Sequence, residues 1–217
     1  MRALVALLFA LVLVAGCGGN GDGDTTEPVA TGGSDECAIV EAPQARGPET
    51  RDAPAEELDS SKTYTLTFDT SCGAFTVTLD TEQAPETAAS LVALANAGYF
   101  DDTIFHRVVP GFVIQGGDPT QSGGGGPGYS TVDAPASGAK YTQGVVAMAK
   151  TQVEAPGTSG SQFFVVTGAD AGLPPEYAIV GEVTDGMDTV LRIDALGVED
   201  GPPSQPVVVN TVTVGES

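Results

Sequence analysis

The sequence has no tryptophan, one histidine and three cysteines in 217 residues. Zinc sites in proteins are built mainly from several cysteine and histidine ligands held close together. His106 is the single histidine, and two of the cysteines are candidates for a disulfide, so ligands for a metal are lacking. We therefore expect no metal, and no motif in the chain predicts a cofactor.

Positive charge is also scarce, because 8 Lys and Arg residues stand against 29 Asp and Glu residues, for a formal net charge of −21. Such a charge repels nucleic-acid phosphates and anionic lipid headgroups. We therefore expect no nucleic-acid partner. The acidity itself is typical of a solvated surface and indicates nothing about catalysis.

No apolar run is long enough for a membrane-spanning helix, which needs about 20 residues. Residues 3–15 are apolar and follow Arg2, which is typical of the hydrophobic region of a secretory signal. The sequence V-A-G-C at residues 14–17 resembles a bacterial lipobox. We predict a lipoprotein signal peptide over 1–16, an acylated Cys17, and an extracytoplasmic protein anchored to the cell membrane by lipid. The alternative is an ordinary signal peptide with a cysteine nearby.

Two cysteines remain after Cys17, namely Cys37 and Cys72. Disulfides persist in exported proteins, and an even number of remaining cysteines favours a Cys37–Cys72 bridge. Two free thiols are the alternative.

The chain divides into a polar segment and a globular domain. Residues 17–61 are rich in Gly, Pro and acidic residues and contain few large apolar ones, so we predict a flexible acidic tether. Residues 62–217 are predicted to form the folded domain. A Cys37–Cys72 bridge would hold the segment around Cys37 against that domain. No feature predicts an oligomer, and a monomer is expected.

The predicted domain is mainly β. Alternating apolar residues predict a hairpin over 64–68 and 75–79, and further short strands are predicted over 104–108, 111–115, 145–149, 162–166, 178–182 and 207–214. Helices are expected from Pro85 to about Gly98 and over 186–194. Many short strands with two helices favour an antiparallel barrel over a βαβ fold. Residues 116–144 form a Gly-rich excursion without the G-K-[ST] motif of a phosphate loop.

Two segments carry the candidate chemistry: F-H-R-V-V-P-G-F-V-I-Q-G-G-D at 105–118 and G-S-Q-F-F-V-V-T at 160–167. Arg107 alone would be interpreted as one half of a salt bridge, but aromatic residues and two glutamines accompany it. Strand alternation places Arg107 on the same face as Phe105, and Gln162 on the same face as Phe164. Alternation would also separate Phe112 from Gln115, so we expect the glycines at 116–117 or a local twist to redirect one of them.

Over roughly residues 62–214 the order and spacing of these motifs resemble the cyclophilins, which are peptidyl-prolyl isomerases. The resemblance implies a closed antiparallel eight-stranded β-barrel capped by two α-helices. It implies that Arg107 is the catalytic arginine and that Gln115 supports it and the substrate backbone. It also implies a substrate-binding set made of Phe112, Val113, Ala149, Lys150, Gln162, Phe164, Leu173 and Tyr177.

Three positions depart from the family's usual residues. Gly172 stands where well-known members have a tryptophan that contacts cyclosporin, so cyclosporin binding is not expected. Lys150 replaces an asparagine and Tyr177 replaces a histidine. Because isomerisation requires no proton transfer, His106 is interpreted as a packed structural residue, with an acid–base role as the alternative.

The leading hypothesis is an isomerase that acts on proline-containing segments of exported proteins at the membrane surface. A non-catalytic module that binds proline peptides would use the same cleft, although binding a ring does not require a cation. A solute-binding transport lipoprotein is a poor third hypothesis, because the chain is short and lacks two α/β lobes.

Overall fold

The first hairpin is formed by the alternating residues that predict it. Strand β1 (Tyr64–Thr70) pairs with β2 (Gly73–Leu79), and Phe68 lies directly opposite Phe75. The two rings stack with centroids 4.8 Å apart, and both side chains are buried. This cross-strand aromatic pair begins the main core.

The structure is a computed structural model that describes residues 36–217. After the hairpin come α1 (Pro85–Asn96), β3 (Thr103–Ile104), β4 (Arg107–Val109), β5 (Val113–Gly116), β6 (Thr131–Val132), β7 (Val145–Met148), β8 (Thr158–Ser159), β9 (Phe163–Val166), β10 (Ile179–Asp185), α2 (Met187–Asp194) and β11 (Val208–Glu216).

Nine of the strands in this part of the chain form one curled antiparallel sheet in the order β3-β11-β1-β2-β10-β7-β9-β5-β4. The mainly β architecture with two helices is therefore confirmed. The sheet has nine strands where eight were expected, and its hydrogen-bond ladder stays open between the edge strands β3 and β4. These edges are consecutive in the chain and are separated only by Phe105 and His106. Strand β6, which lies in the Gly-rich excursion, pairs separately with β8.

The two predicted helices are present, but the first is capped by a residue that the sequence did not indicate. Pro85 occupies the first turn of α1, and Ala84 supplies no side-chain cap. Instead the Asp133 carboxylate accepts hydrogen bonds from the Thr87 N–H at 2.7 Å and the Thr87 hydroxyl at 2.6 Å. A carboxylate at a helix N-terminus also interacts favourably with the helix dipole.

Strands β5, β7 and β9 carry apolar side chains on both faces, and each face contributes to a different cluster. One face contributes Ile114, Met148 and Phe163 to the main core. The opposite face contributes Val113 and Phe164 to a second, smaller cluster. Because side chains alternate along a strand, the same three strands form the core and the floor of a surface pocket.

Residues 37–51, which we term the strap, lie against the domain. The strap begins at a disulfide between Cys37 and Cys72, so the predicted bridge is present. The Ala38 N–H donates to the Ser71 carbonyl at 2.7 Å, next to the bridge. This differs from the flexible tether expected over 17–61, because backbone and side-chain groups of the strap bond to the domain.

The predicted signal peptide over 1–16, the acylation at Cys17 and the tether up to residue 35 lie outside the described residues. Within residues 36–217, neither helix has the length and apolar character needed to cross a bilayer.

Candidate active site

An apolar pocket of about 290 Å³ opens on the face of the sheet opposite the main core. It is lined by Arg107, Phe112, Val113, Gln115, Ala149, Lys150, Phe164, Leu173 and Tyr177. The structure thus brings together nine of the ten residues predicted for catalysis and substrate binding. The tenth, Gln162, lies in an adjoining pocket.

Arg107 is placed at the pocket by strand pairing. In the β4–β5 ladder it lies directly opposite Gln115, and its Nη1 donates to the Gln115 Oε1 at 3.3 Å. Its guanidinium carbon lies 6.0 Å from the centre of the Phe112 ring. The arginine therefore presents N–H groups above an aromatic wall.

The second partner of Arg107 is Asp200, which the sequence did not predict. The Arg107 Nε and Nη2 donate to the two carboxylate oxygens of Asp200 at 2.5 and 3.1 Å. The loop that carries Asp200 is held beside β4 because the Val108 N–H donates to the Gly201 carbonyl at 2.8 Å. The hydrogen bond and charge of Arg107 lower the pKa of Asp200 below its ordinary value, and the carboxylate is 68% exposed.

Within the described chain, these bonds use three of the five N–H groups of Arg107. One N–H on each terminal nitrogen is left to meet a substrate. Asp200 and Gln115 hold the guanidinium from two sides, so its plane is fixed relative to the pocket.

A hydrogen-bond chain continues from Gln115 to the Gly-rich excursion. The Gln115 Nε2 donates to the Gln162 Oε1 at 3.1 Å. The Gln162 Nε2 in turn donates to the Gly123 carbonyl at 3.0 Å and the Gly125 carbonyl at 2.9 Å. Because both N–H groups of this amide have partners, Gln162 can donate to a peptide only by releasing one of these carbonyls.

Residues 118–130, which we term the Gly-rich loop, fold around the buried carboxylate of Asp118. Asp118 accepts hydrogen bonds from the Thr120 N–H, the Thr120 hydroxyl, the Gly123 N–H and the Gly125 N–H at 2.7 to 3.0 Å. Burial alone would raise the pKa of Asp118, but these hydrogen bonds outweigh it and the pKa is lowered. A Cβ on Gly125 would lie 2.0 Å from the Asp118 Oδ1, so only glycine fits at position 125.

The Gly-rich loop forms one wall of a second pocket of about 370 Å³ beside the first. The other wall includes Ala149, Lys150 and Gln162. The Ala149 N–H donates to the Gln162 carbonyl at 2.9 Å. A bound peptide that pairs with Ala149 would therefore donate an N–H to the Ala149 carbonyl.

Lys150 lies between the two pockets, and its side chain is only 2% exposed. Its Nζ donates to the Glu176 carboxylate at 3.1 Å and to the Thr151 and Glu154 carbonyls at 3.2 Å, and it lies 5.4 Å from the centre of the Tyr177 ring. The ammonium therefore joins residues 151–154, which border the second pocket, to Glu176, which precedes Tyr177 of the first pocket.

His106 lies beneath the Gly-rich loop, between the edge strands. Burial, reinforced by the charge of Arg107, lowers its pKa even though Asp118 acts in the opposite direction. The ring is therefore neutral at pH 7, and this fits a packed structural residue.

Two predictions about orientation are corrected by the strand boundaries. Phe105 is buried in the main core while Arg107 faces the pocket, because β3 ends before Phe105 and β4 begins after His106. Phe112 joins Gln115 at the pocket because it precedes β5 in a turn, so no distortion at 116–117 is needed. The predicted faces of β9 hold, since Phe164 lines the pocket and Phe163 enters the core.

This arrangement can bind a small apolar ring and direct cationic donors at a group on its edge. Rotation about a peptide bond has a barrier of about 18–20 kcal/mol because of amide resonance. Proline makes the cis and trans forms close in free energy but leaves their exchange slow. A preorganised guanidinium near a proline nitrogen can stabilise that nitrogen as it loses conjugation.

Comparison with known proteins gives a consistent result. Residues 65–214 match the family model described as "Cyclophilin type peptidyl-prolyl cis-trans isomerase/CLD". The chain is 38% identical over 157 residues to "Peptidyl-prolyl cis-trans isomerase-like 1" of Aspergillus fumigatus, which covers 70% of this chain and 96% of that protein. It is also 38% identical over 170 residues to "Probable peptidyl-prolyl cis-trans isomerase A" of Mycobacterium leprae, covering 69% and 91%.

Solved structures agree with these sequence matches. A cyclophilin-type peptidyl-prolyl cis-trans isomerase of Cryptosporidium parvum superposes with a TM-score of 0.65 at 30% identity, covering 70% of this chain and 98% of that chain. A structure of the same protein in the presence of the dipeptide Ala-Pro gives a TM-score of 0.64 at 31% identity.

Proposed function

The chain belongs to the cyclophilin-type peptidyl-prolyl cis-trans isomerases, and we propose that it isomerises X–Pro bonds of exported proteins at a membrane surface, with Arg107 as the catalytic residue. The observation that carries the assignment is the position of Arg107 beside the apolar pocket. Gln115 and Asp200 hold its guanidinium there and leave two N–H groups free for a substrate.

In the proposed mechanism the proline ring enters the pocket between Phe112, Phe164 and Leu173. Apolar walls exclude water from the ring and strengthen hydrogen bonds at its edge. The free N–H groups of Arg107 donate to the proline nitrogen as the bond twists and the nitrogen becomes pyramidal. No covalent bond forms or breaks, and no proton is transferred. The Cryptosporidium parvum structure determined in the presence of Ala-Pro supports a proline peptide as the ligand.

The proposal of isomerisation is tested with the full chain in detergent and an Ala-Pro-Phe peptide in a chymotrypsin-coupled assay. We expect a kcat/KM of at least about 10⁴ M⁻¹s⁻¹, in the ordinary range for enzymes. Heat-unfolded protein serves as the control. Peptide binding observed by NMR without exchange between cis and trans peaks would instead support a binding module.

The proposed location rests on the N-terminal sequence and on the disulfide. A lipid on Cys17 would hold the domain at the membrane surface, and stable anchoring requires more than one acyl chain. The Cys37–Cys72 bridge supports an oxidising compartment, because such bonds are rare in the reducing cytosol.

Labelling with radioactive palmitate in a bacterial host tests the anchor. The wild-type chain is expected to incorporate label and to sediment with membranes, and Cys17→Ala is expected to lose both properties. Cys37→Ala/Cys72→Ala is the matched control and should remain labelled. Label in the Cys17→Ala variant, or none in the wild type, would exclude the lipoprotein assignment.

A further inference from the structure

The strap is attached to the domain at three places, and the first is the disulfide. From Cys37 the chain runs to the Gly-rich loop, which lies beside the second pocket. One end of the strap is therefore fixed covalently to the β1–β2 hairpin, and its other end must be held by the groups that it meets along the loop.

Three hydrogen bonds join the strap to the Gly-rich loop. The Arg46 N–H donates to the Pro119 carbonyl at 2.9 Å, and the Arg51 N–H donates to the Pro127 carbonyl at 2.7 Å. In the other direction the Gln121 Nε2 donates to the Pro43 carbonyl at 2.9 Å. The bonds are spread over both ends of the loop, so the strap constrains the loop as a whole.

The arginine side chains of the strap add a third attachment. The guanidinium groups of Arg46 and Arg51 lie 5.6 and 5.8 Å from the centre of the Tyr99 ring, and Arg46 also donates to the Tyr99 carbonyl. Glu49 pairs with both, at 3.1 and 2.6 Å.

Tyr99 connects this attachment to the segment before β9 that carries Ser161 and Gln162. The Ser161 hydroxyl lies 3.3 Å from the Tyr99 hydroxyl and donates to the Gly117 carbonyl at 2.7 Å. The residue after Ser161 is Gln162, which donates to the Gly-rich loop at Gly123 and Gly125. The loop is thus held between the strap on one side and Gln162 on the other.

We propose that the strap is a positioning element of the active site. It holds the Gly-rich loop in place as one wall of the second pocket, with the Gly123 and Gly125 carbonyls bonded to Gln162. Arg46 and Arg51 are its positioning residues. This inference rests on the proposed function of the pocket, and it predicts that a loosened strap weakens peptide binding more than it slows the bound substrate.

The test compares Arg46→Ala/Arg51→Ala with Lys62→Ala/Lys140→Ala in the full chain. The control removes the same amount of positive charge at exposed positions that the strap does not contact. Hydrogen exchange of amides in residues 118–130 is expected to accelerate about tenfold in the arginine variant. The Kd for a proline-containing peptide should rise about fivefold, with kcat within about twofold of the wild type. The control should match the wild type in all three measurements.

Unchanged exchange in the Gly-rich loop would overturn the proposal, and so would faster exchange with an unchanged Kd. A merely structural role of the arginines would lower the unfolding temperature without a local change in exchange. If the wild type binds the peptide but does not isomerise it, the proposed function fails, whereas exchange and Kd still test the strap.

Discussion

Replacing Arg107 by alanine is expected to lower kcat/KM for an Ala-Pro-Phe peptide by about 10²–10³, the usual cost of removing one preorganised donor from a site of developing charge. The proline pocket remains in the variant, so the peptide should still bind. The loss should therefore appear mainly in kcat. The coupled protease assay measures the rate, and an NMR titration measures the affinity.

The fold should tolerate this substitution because Arg107 is paired with an exposed carboxylate, and such pairs contribute only about 0–1 kcal/mol. Circular dichroism should be unchanged. Arg192→Ala is the matched control, since Arg192 pairs with Asp188 on α2 and does not line the pocket. Arg107→Lys should be intermediate at best, because an ammonium cannot donate to Asp200, Gln115 and a substrate in one plane. Activity of Arg107→Ala within about twofold of the wild type would rule out the assigned role.

Removing the Cys37–Cys72 bridge should have the largest effect on stability. The two cysteines are 35 positions apart. In the chain-entropy account, a cross-link that closes a loop of this length stabilises the fold by about 4 kcal/mol, because it restricts the unfolded chain. Cys37→Ala/Cys72→Ala is therefore expected to lower the thermal midpoint by about 8–15 °C.

Calorimetry with and without a reducing agent checks this second expectation. Reductant should lower the midpoint of the wild type to that of the double variant and should leave the double variant unchanged. An equal midpoint for the variant and the oxidised wild type would mean that the bridge contributes nothing to stability.

The pocket residues are predicted from the resemblance to the cyclophilins, and strand alternation, which is a local property, predicts the face on which some of them lie. Once residues 162–166 are recognised as a strand, the period of two places Phe164 on one face and Phe163 on the other. The same reasoning fails at Phe105, where the strand is interrupted by two residues. Alternation applies only within an unbroken strand, and the sequence does not mark the break.

The contacts that the sequence could not predict are made by loops over long separations. Asp200 is one of 29 acidic residues, and nothing in its neighbourhood indicates that a carboxylate 93 positions from Arg107 will face it. The strap is similar, since its composition is typical of a flexible linker, and its attachment beyond the predicted disulfide depends on single backbone groups and two arginine side chains. The buried role of Asp118 could not be predicted either. Two of its partners are N–H groups of a glycine run, and such a run is typical of a flexible segment.

The turn around Asp118 determines where this enzyme can diversify. Gly125 cannot acquire a side chain, but a Cβ on Gly126 would meet no atom within 4 Å, and one on Gly124 would meet only the Ser122 hydroxyl at an ordinary 3.6 Å. New side chains at these two positions could enter the second pocket while the buried turn and the arginine stay as they are. Selectivity for the residues that flank the proline can therefore evolve separately from the rotation of the bond itself.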